Sequence, residues 1–166
     1  MSKEIHGSVN VSKLYITKIP DFMKEVMVVH GMFHCAFNFL SSLEGAPEKV
    51  GRGFYCYNNS LTSLEGAPEK VGGNYNCTYN SLKTLNGAPA KVYGYFDCSY
   101  NSLTSLEGAP EEVGGNFSCI YNPLISLEGL PKKIGEDLYI SSAKGIYFTK
   151  EEIRKVSNIK GRIINV

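Results

Sequence analysis

Apolar and polar positions along this chain recur with a period of 21 residues. Cysteines mark the register at Cys35, Cys56, Cys77, Cys98 and Cys119. Two residues before each stands an aromatic: Phe33, Phe54, Tyr75, Phe96 and Phe117. Three after it stands an asparagine: Asn38, Asn59, Asn80, Asn101 and Asn122. Leucines follow at two further columns, Leu40 to Leu124 and Leu43 to Leu127, then prolines from Pro47 to Pro131 and valines from Val50 to Val113, with Ile134 closing that column. So many columns in one register identify a repeat array.

Each unit predicts one strand and one return path. The aromatic-x-Cys triplet alternates with period two, so the aromatic and the thiol point inward from a half-buried strand. The asparagine ends the strand and bonds backbone groups that the sheet leaves free, forming a ladder from unit to unit. The leucines fill the core. Gly-Ala-Pro bars a long helix on the return side. The valine re-enters the core, and Gly-Gly (Gly72-Gly73) lets the chain bend into the next strand. Successive strands are predicted to be parallel and about 4.8 Å apart, with stability arising from stacked neighbours.

The ends depart from the pattern. Residues 1–31 read as an N-terminal cap with a degenerate repeat, Leu14-Tyr15-Ile16 followed by Ile19, Phe22, Val26 and Val28-Val29. Residues 32–136 hold five repeats. In 137–166, Leu138 and Ile140 keep the strand columns while Ala143 stands where asparagine is expected. Thr149 and Glu152 make a capping box, predicting a short helix to about Asn158 that closes the open end of the stack. Arg162–Val166 reads as a last strand.

The stretch Tyr75-x-Cys77-x-x-Asn80-x-Leu82-x-x-Leu85 resembles the leucine-rich repeat pattern L-x-L-x-x-N-x-L-x-x-L, five times over residues 32–136. The short proline-bearing return is similar to that of secreted bacterial leucine-rich effectors, and the wording SLEGAPEKVGG resembles repeat proteins of large tailed phages and some bacteria. The resemblance implies a mainly β, right-handed leucine-rich-repeat solenoid of the α/β solenoid class, with a parallel sheet on its concave side. It implies use in protein binding, and the phage-like wording implies a bacterial host protein, such as a defence factor, met in the host cytosol.

At 166 residues the chain fits one domain with a real core. A net charge of +1 removes the electrostatic case for nucleic acid or an acidic membrane surface. The apolar run near Val26–Val29 is too short to span a bilayer. The N-terminal MSKEIHGSVN has no apolar core of a secretory signal. Five cysteines, an odd number, argue against a fully paired disulfide framework. The expectation is a soluble cytoplasmic protein with reduced thiols.

Candidate chemistry reduces to a few groups. The cysteine spacing is not a zinc motif, and thiols beside phenylalanines pack as small hydrophobes. Among His6, His30 and His34, only His34 falls on the strand face, with no acid or hydroxyl in fixed relation to it. The column Glu44, Glu65, Glu107 and Glu128, broken by Asn86, lies near Lys49 and Lys70 and reads as a solvated, charge-compensated surface. The glycine pairs lack the lysine and hydroxyl of a phosphate loop. No catalytic residue, metal site or cofactor is therefore expected.

The outward strand positions are where otherwise similar repeats differ. Flanking the cysteines are His34, Tyr55, Asn76, Asp97 and Ser118 on one side, and Ala36, Tyr57, Thr78, Ser99 and Ile120 on the other. One step on stand Phe37, Asn58, Tyr79, Tyr100 and Tyr121. Tyrosine gathers here, offering contact area with a polar handle. The expected function is a non-enzymatic protein-binding module that uses His34, Tyr55, Tyr57, Asn76, Thr78, Tyr79, Asp97, Ser99, Tyr100, Ser118, Ile120 and Tyr121. The alternatives are a self-assembling structural or virion-associated protein, and an enzyme whose site lies at the ends or on the glutamate column.

Overall fold

A computed structural model describes residues 3–166 as a stack of coils, mainly β, with one short α-helix near the C-terminus. Every coil contributes one strand to each of two parallel sheets of eight rungs. One sheet carries the predicted strands Phe33–His34, Phe54–Tyr55, Tyr75–Asn76, Phe96–Asp97, Phe117–Cys119, Leu138–Ile140 and Ile163–Asn165, and at its N-terminal edge Val9–Asn10, where the sequence pattern points instead to Leu14-Tyr15-Ile16. We call it the cysteine sheet. Its register pairs Phe54 with Tyr75 and Phe96 with Phe117, so the 21-residue columns become rungs.

The other sheet lies on the return path, where no strand was expected. It comprises Lys3–Ile5, Val26–Val29, Lys49–Val50, Lys70–Val71, Lys91–Val92, Glu112–Val113, Lys133–Ile134 and Asn158–Ile159, and we call it the valine sheet. Proline removes a donor only at the turn. The return-path amides beyond it still need partners, and the neighbouring coil supplies them: Gly72 N–H donates to Val50 O at 2.9 Å, Gly114 N–H to Val92 O at 2.8 Å. Lysine outward and valine inward is a two-residue version of the strand alternation.

The glycines divide into two roles. Gly45, Gly66, Gly87 and Gly108 of the Gly-Ala-Pro segments, and Gly129 of the equivalent Gly129-Leu130-Pro131, have φ between +81° and +95°. Each sits third in a four-residue turn closed by the amide three residues after the column leucine, as in Ala67 N–H to Leu64 O at 3.0 Å. That turn requires positive φ. The later glycines do something other than the sharp bend expected of them. Gly72 lacks a positive φ, and a Cβ on it would strike the Gly51 carbonyl of the preceding coil. Glycine there permits close approach of coils.

The core is a set of ladders between the sheets. Phe33, Phe54, Tyr75, Phe96 and Phe117 stack ring on ring with centroids 5.0–5.7 Å apart. The five thiols are free and fully buried, and burial pushes their pKa values up. Four point at a carbonyl of the next coil, as Cys98 Sγ does at Ser118 O, 3.3 Å away. Each asparagine bridges two coils. Asn101 Oδ1 accepts from Leu82 N–H at 3.0 Å, while its Nδ2 donates to Cys77 O and Cys98 O.

At the C-terminus the capping box forms as expected: Thr149 Oγ1 accepts from Glu152 N–H at 3.2 Å, and Glu152 Oε2 accepts from Thr149 N–H at 2.8 Å. The helix runs Lys150–Val156. It does not close the stack from outside. The last rung, Asn158–Ile159 and Ile163–Asn165, follows it. The helix stands inside the final coil, in place of the Gly-Ala-Pro turn, with Ile153 filling the core. At the other end, the first rung is Lys3–Ile5 and Val9–Asn10. Of the degenerate N-terminal copy, Ile19 and Val26 are buried but Leu14, Tyr15 and Phe22 are exposed.

Candidate functional site

The outer face of the cysteine sheet is built from two columns on the strands and one at their ends. The end column is the most distinctive. Phe37, Asn58, Tyr79, Tyr100 and Tyr121 all have φ between +52° and +56°. This left-handed geometry turns the chain off the strand so that the following asparagine can reach inward. It suits Asn or Gly, and a bulky side chain there is strained. The column is thus conformationally demanding, whereas its variation alone reads as freedom from the scaffold.

Three tyrosines occupy that strained column in succession. Tyr79 and Tyr100 stack at 4.2 Å with rings 10° apart, and Tyr100 and Tyr121 at 4.4 Å and 24°. They are 50%, 38% and 52% exposed. The Tyr79 hydroxyl beside Tyr100 holds that phenol up at about 12. The ladder is stacked and open to solvent at once.

At the other end of the column an aromatic patch surrounds Phe37. Lys13 Nζ lies 5.3 Å from the centre of its ring, and Tyr57 meets it edge-on at 5.2 Å. Tyr15, 75% exposed, lies 6.2 Å from Phe39. Lys13, Tyr15, Phe37 and Phe39 border a recess of about 460 Å³.

His34 is half-buried between Tyr55 and Tyr57, with centroids 5.4 and 5.6 Å away. Tyr57 Oη lies 3.5 Å from Nε2, and Nδ1 is buried without a partner. Burial, then Lys13, lowers its pKa. Tyr55 and Tyr57 are correspondingly only partly exposed.

Asp97 is half-buried at the centre of the face. Its Oδ1 accepts from Ser99 N–H at 3.0 Å. Burial raises its pKa more than the Ser99 hydrogen bonds lower it. Tyr95, Asn116, Ser118 and Tyr139 line the recess of about 320 Å³ that it faces.

Two of the expected contact residues are not surface. Thr78 is 7% exposed and Ser99 2%. These short side chains are tied down along the sheet: Thr78 Oγ1 donates to Asn76 Oδ1 at 2.8 Å, and the hydroxyls of Ser99 and Ser118 lie 2.8 Å apart. Asn76, Ser118 and Ile120 are partly exposed. Two exposed aromatics that sequence reasoning passed over, Phe39 and Tyr93, have a common signal. Phe39 is the aromatic in the column Ser60, Ser81, Ser102, and Tyr93 stands in the column of Gly72 and Gly114. Both break a small-residue column.

The valine sheet's outer face is charged. Lys49, Lys70, Lys91 and Lys133 align along it, and Glu112 pairs with Lys91 at 3.1 Å and Lys133 at 2.6 Å. The glutamates Glu44, Glu65, Glu107 and Glu128 are exposed at the turns. Among the described residues no helix is long and apolar enough to cross a membrane. No protein-family model matches the chain, and no curated protein matches it.

Proposed function

We propose that this protein is a non-enzymatic protein-binding module that meets its partner on the outer face of the cysteine sheet. The observation that carries the reading is the Tyr79–Tyr100–Tyr121 ladder. Three bulky side chains occupy backbone positions that disfavour them, yet leave about half of each ring in water. Strain retained at an exposed site points to function, and stacked, preorganised tyrosines lose little freedom on binding. Eight rungs at about 4.8 Å make a face roughly 34 Å long, enough for one side of a standard interface.

The face also suggests the partner's chemistry. Asp97 is a half-buried carboxylate flanked by Tyr95 and Tyr139, a setting suited to a lysine or arginine side chain. The leucine-rich-repeat-like pattern and phage-like repeat wording support a bacterial host protein, met in the host cytosol, as the target.

The test is a photo-crosslinking amino acid placed at Tyr100, with Lys70 on the valine sheet as control, in bacterial lysate. One discrete protein adduct at position 100 and none at 70 is expected. Equal labelling at both, or none at either, counts against this face as the binding site.

A further inference from the structure

We propose that Glu4, His6 and His30 form a binding site for a divalent transition-metal ion of the zinc class. Glu4 and His6 are two apart on the first rung, so their side chains leave the same face of the valine sheet. The register Glu4↔Val28 and Ile5↔Val29 continues to place His30 beside His6 on the next rung, with His30 N–H donating to Ile5 O at 2.9 Å. One ligand atom from each residue lies within 4.8 Å of the other two. The His6 and His30 rings stack at 4.8 Å, and His30 Nε2 is 2.9 Å from Glu4 Oε2.

Two imidazoles and a carboxylate are donors that suit zinc, cobalt, nickel or copper, and suit calcium or magnesium poorly. Tetrahedral zinc with ligands at about 2.1 Å needs ligand atoms about 3.4 Å apart. The three side chains are exposed, so small rotations close the gap. The ion takes the place of the proton shared by His30 and Glu4, and water completes its shell. Because the site joins the edge rung to its neighbour, a bound ion holds the N-terminal end of the stack. A spacing of 24 residues between His6 and His30 is no metal motif; the pair exists only once the rungs are in register.

The experiment uses the full chain without a histidine tag. Zinc is titrated calorimetrically and cobalt by absorption, beside Glu4→Gln, His6→Gln and His30→Gln, whose exposed positions leave the core intact. Expected are one ion per chain, a thermal midpoint raised by zinc, and affinity about tenfold or more weaker in each histidine variant. Cobalt should show no thiolate charge-transfer band, and magnesium or calcium no midpoint shift. Zinc binding unchanged in the variants, a thiolate band, an equal response to magnesium, or no uptake by the wild type each overturns the site.

Discussion

The Tyr100 ring lies over that of Tyr79 at 4.2 Å, although both residues hold their backbone in the left-handed region. The neighbouring hydroxyl keeps Tyr100 protonated up to about 12. Its folded pKa is thus above the unfolded value of about 10. The folded state binds the proton more tightly, so this contribution to stability is full below pH about 10 and lost as pH rises towards about 12. Tyr79→Phe removes the neighbouring hydroxyl. NMR titration of Tyr100 should then show its pKa moved back towards 10, and an unchanged value would separate the two phenols.

Tyr75 stands in a column otherwise filled by phenylalanine. Its Oη is buried without a hydrogen-bond partner, beside the Cys56 thiol, which is too weak an acceptor to satisfy it. Tyr75→Phe keeps the ring and removes the unsatisfied hydroxyl. The expected result in urea unfolding is a gain of about 1–2 kcal/mol. A loss of stability would show that the hydroxyl has a partner.

Asn101 serves four backbone groups across two coils. Asn101→Ala leaves Leu82 N–H and three carbonyls without those bonds. Urea unfolding should show a loss of roughly 3 kcal/mol or more, since each bond contributes about 1 kcal/mol and unsatisfied buried groups add to that. Ser102→Ala, at an exposed neighbour, should change stability by less than about 0.5 kcal/mol.

The inward columns were legible because burial and coil-to-coil contact constrain them identically in every repeat. Cys77, Asn80 and Leu82 read directly as core, ladder and core. The valine sheet was not legible. Six of its eight strands are two residues long, and Lys70-Val71 carries too little alternation to announce one. The helix was legible from Thr149 and Glu152, but its place inside the last coil depends on Asn158–Ile159 pairing with Lys133–Ile134. On the outer face, alternation places Thr78 and Ser99 at the surface, yet short side chains beside larger neighbours are covered. The strain at Tyr79, Tyr100 and Tyr121 has no sequence signal except Asn58, the one residue in the column that favours left-handed backbone.

That asparagine supplies the most direct test of whether the tyrosine ladder serves display or folding. Two stacked pairs contribute about 0.5–1.5 kcal/mol each, and three bulky left-handed residues cost about 1–2 kcal/mol each. In total the strain, about 3–6 kcal/mol, exceeds the stacking, about 1–3 kcal/mol. The measurement is the urea midpoint of the triple variant Tyr79→Asn, Tyr100→Asn, Tyr121→Asn. A midpoint equal to or above that of the wild type is predicted, because asparagine relieves the strain as the stack is lost. A large drop would mean that the rings hold the coils together, contradicting a surface kept for contact.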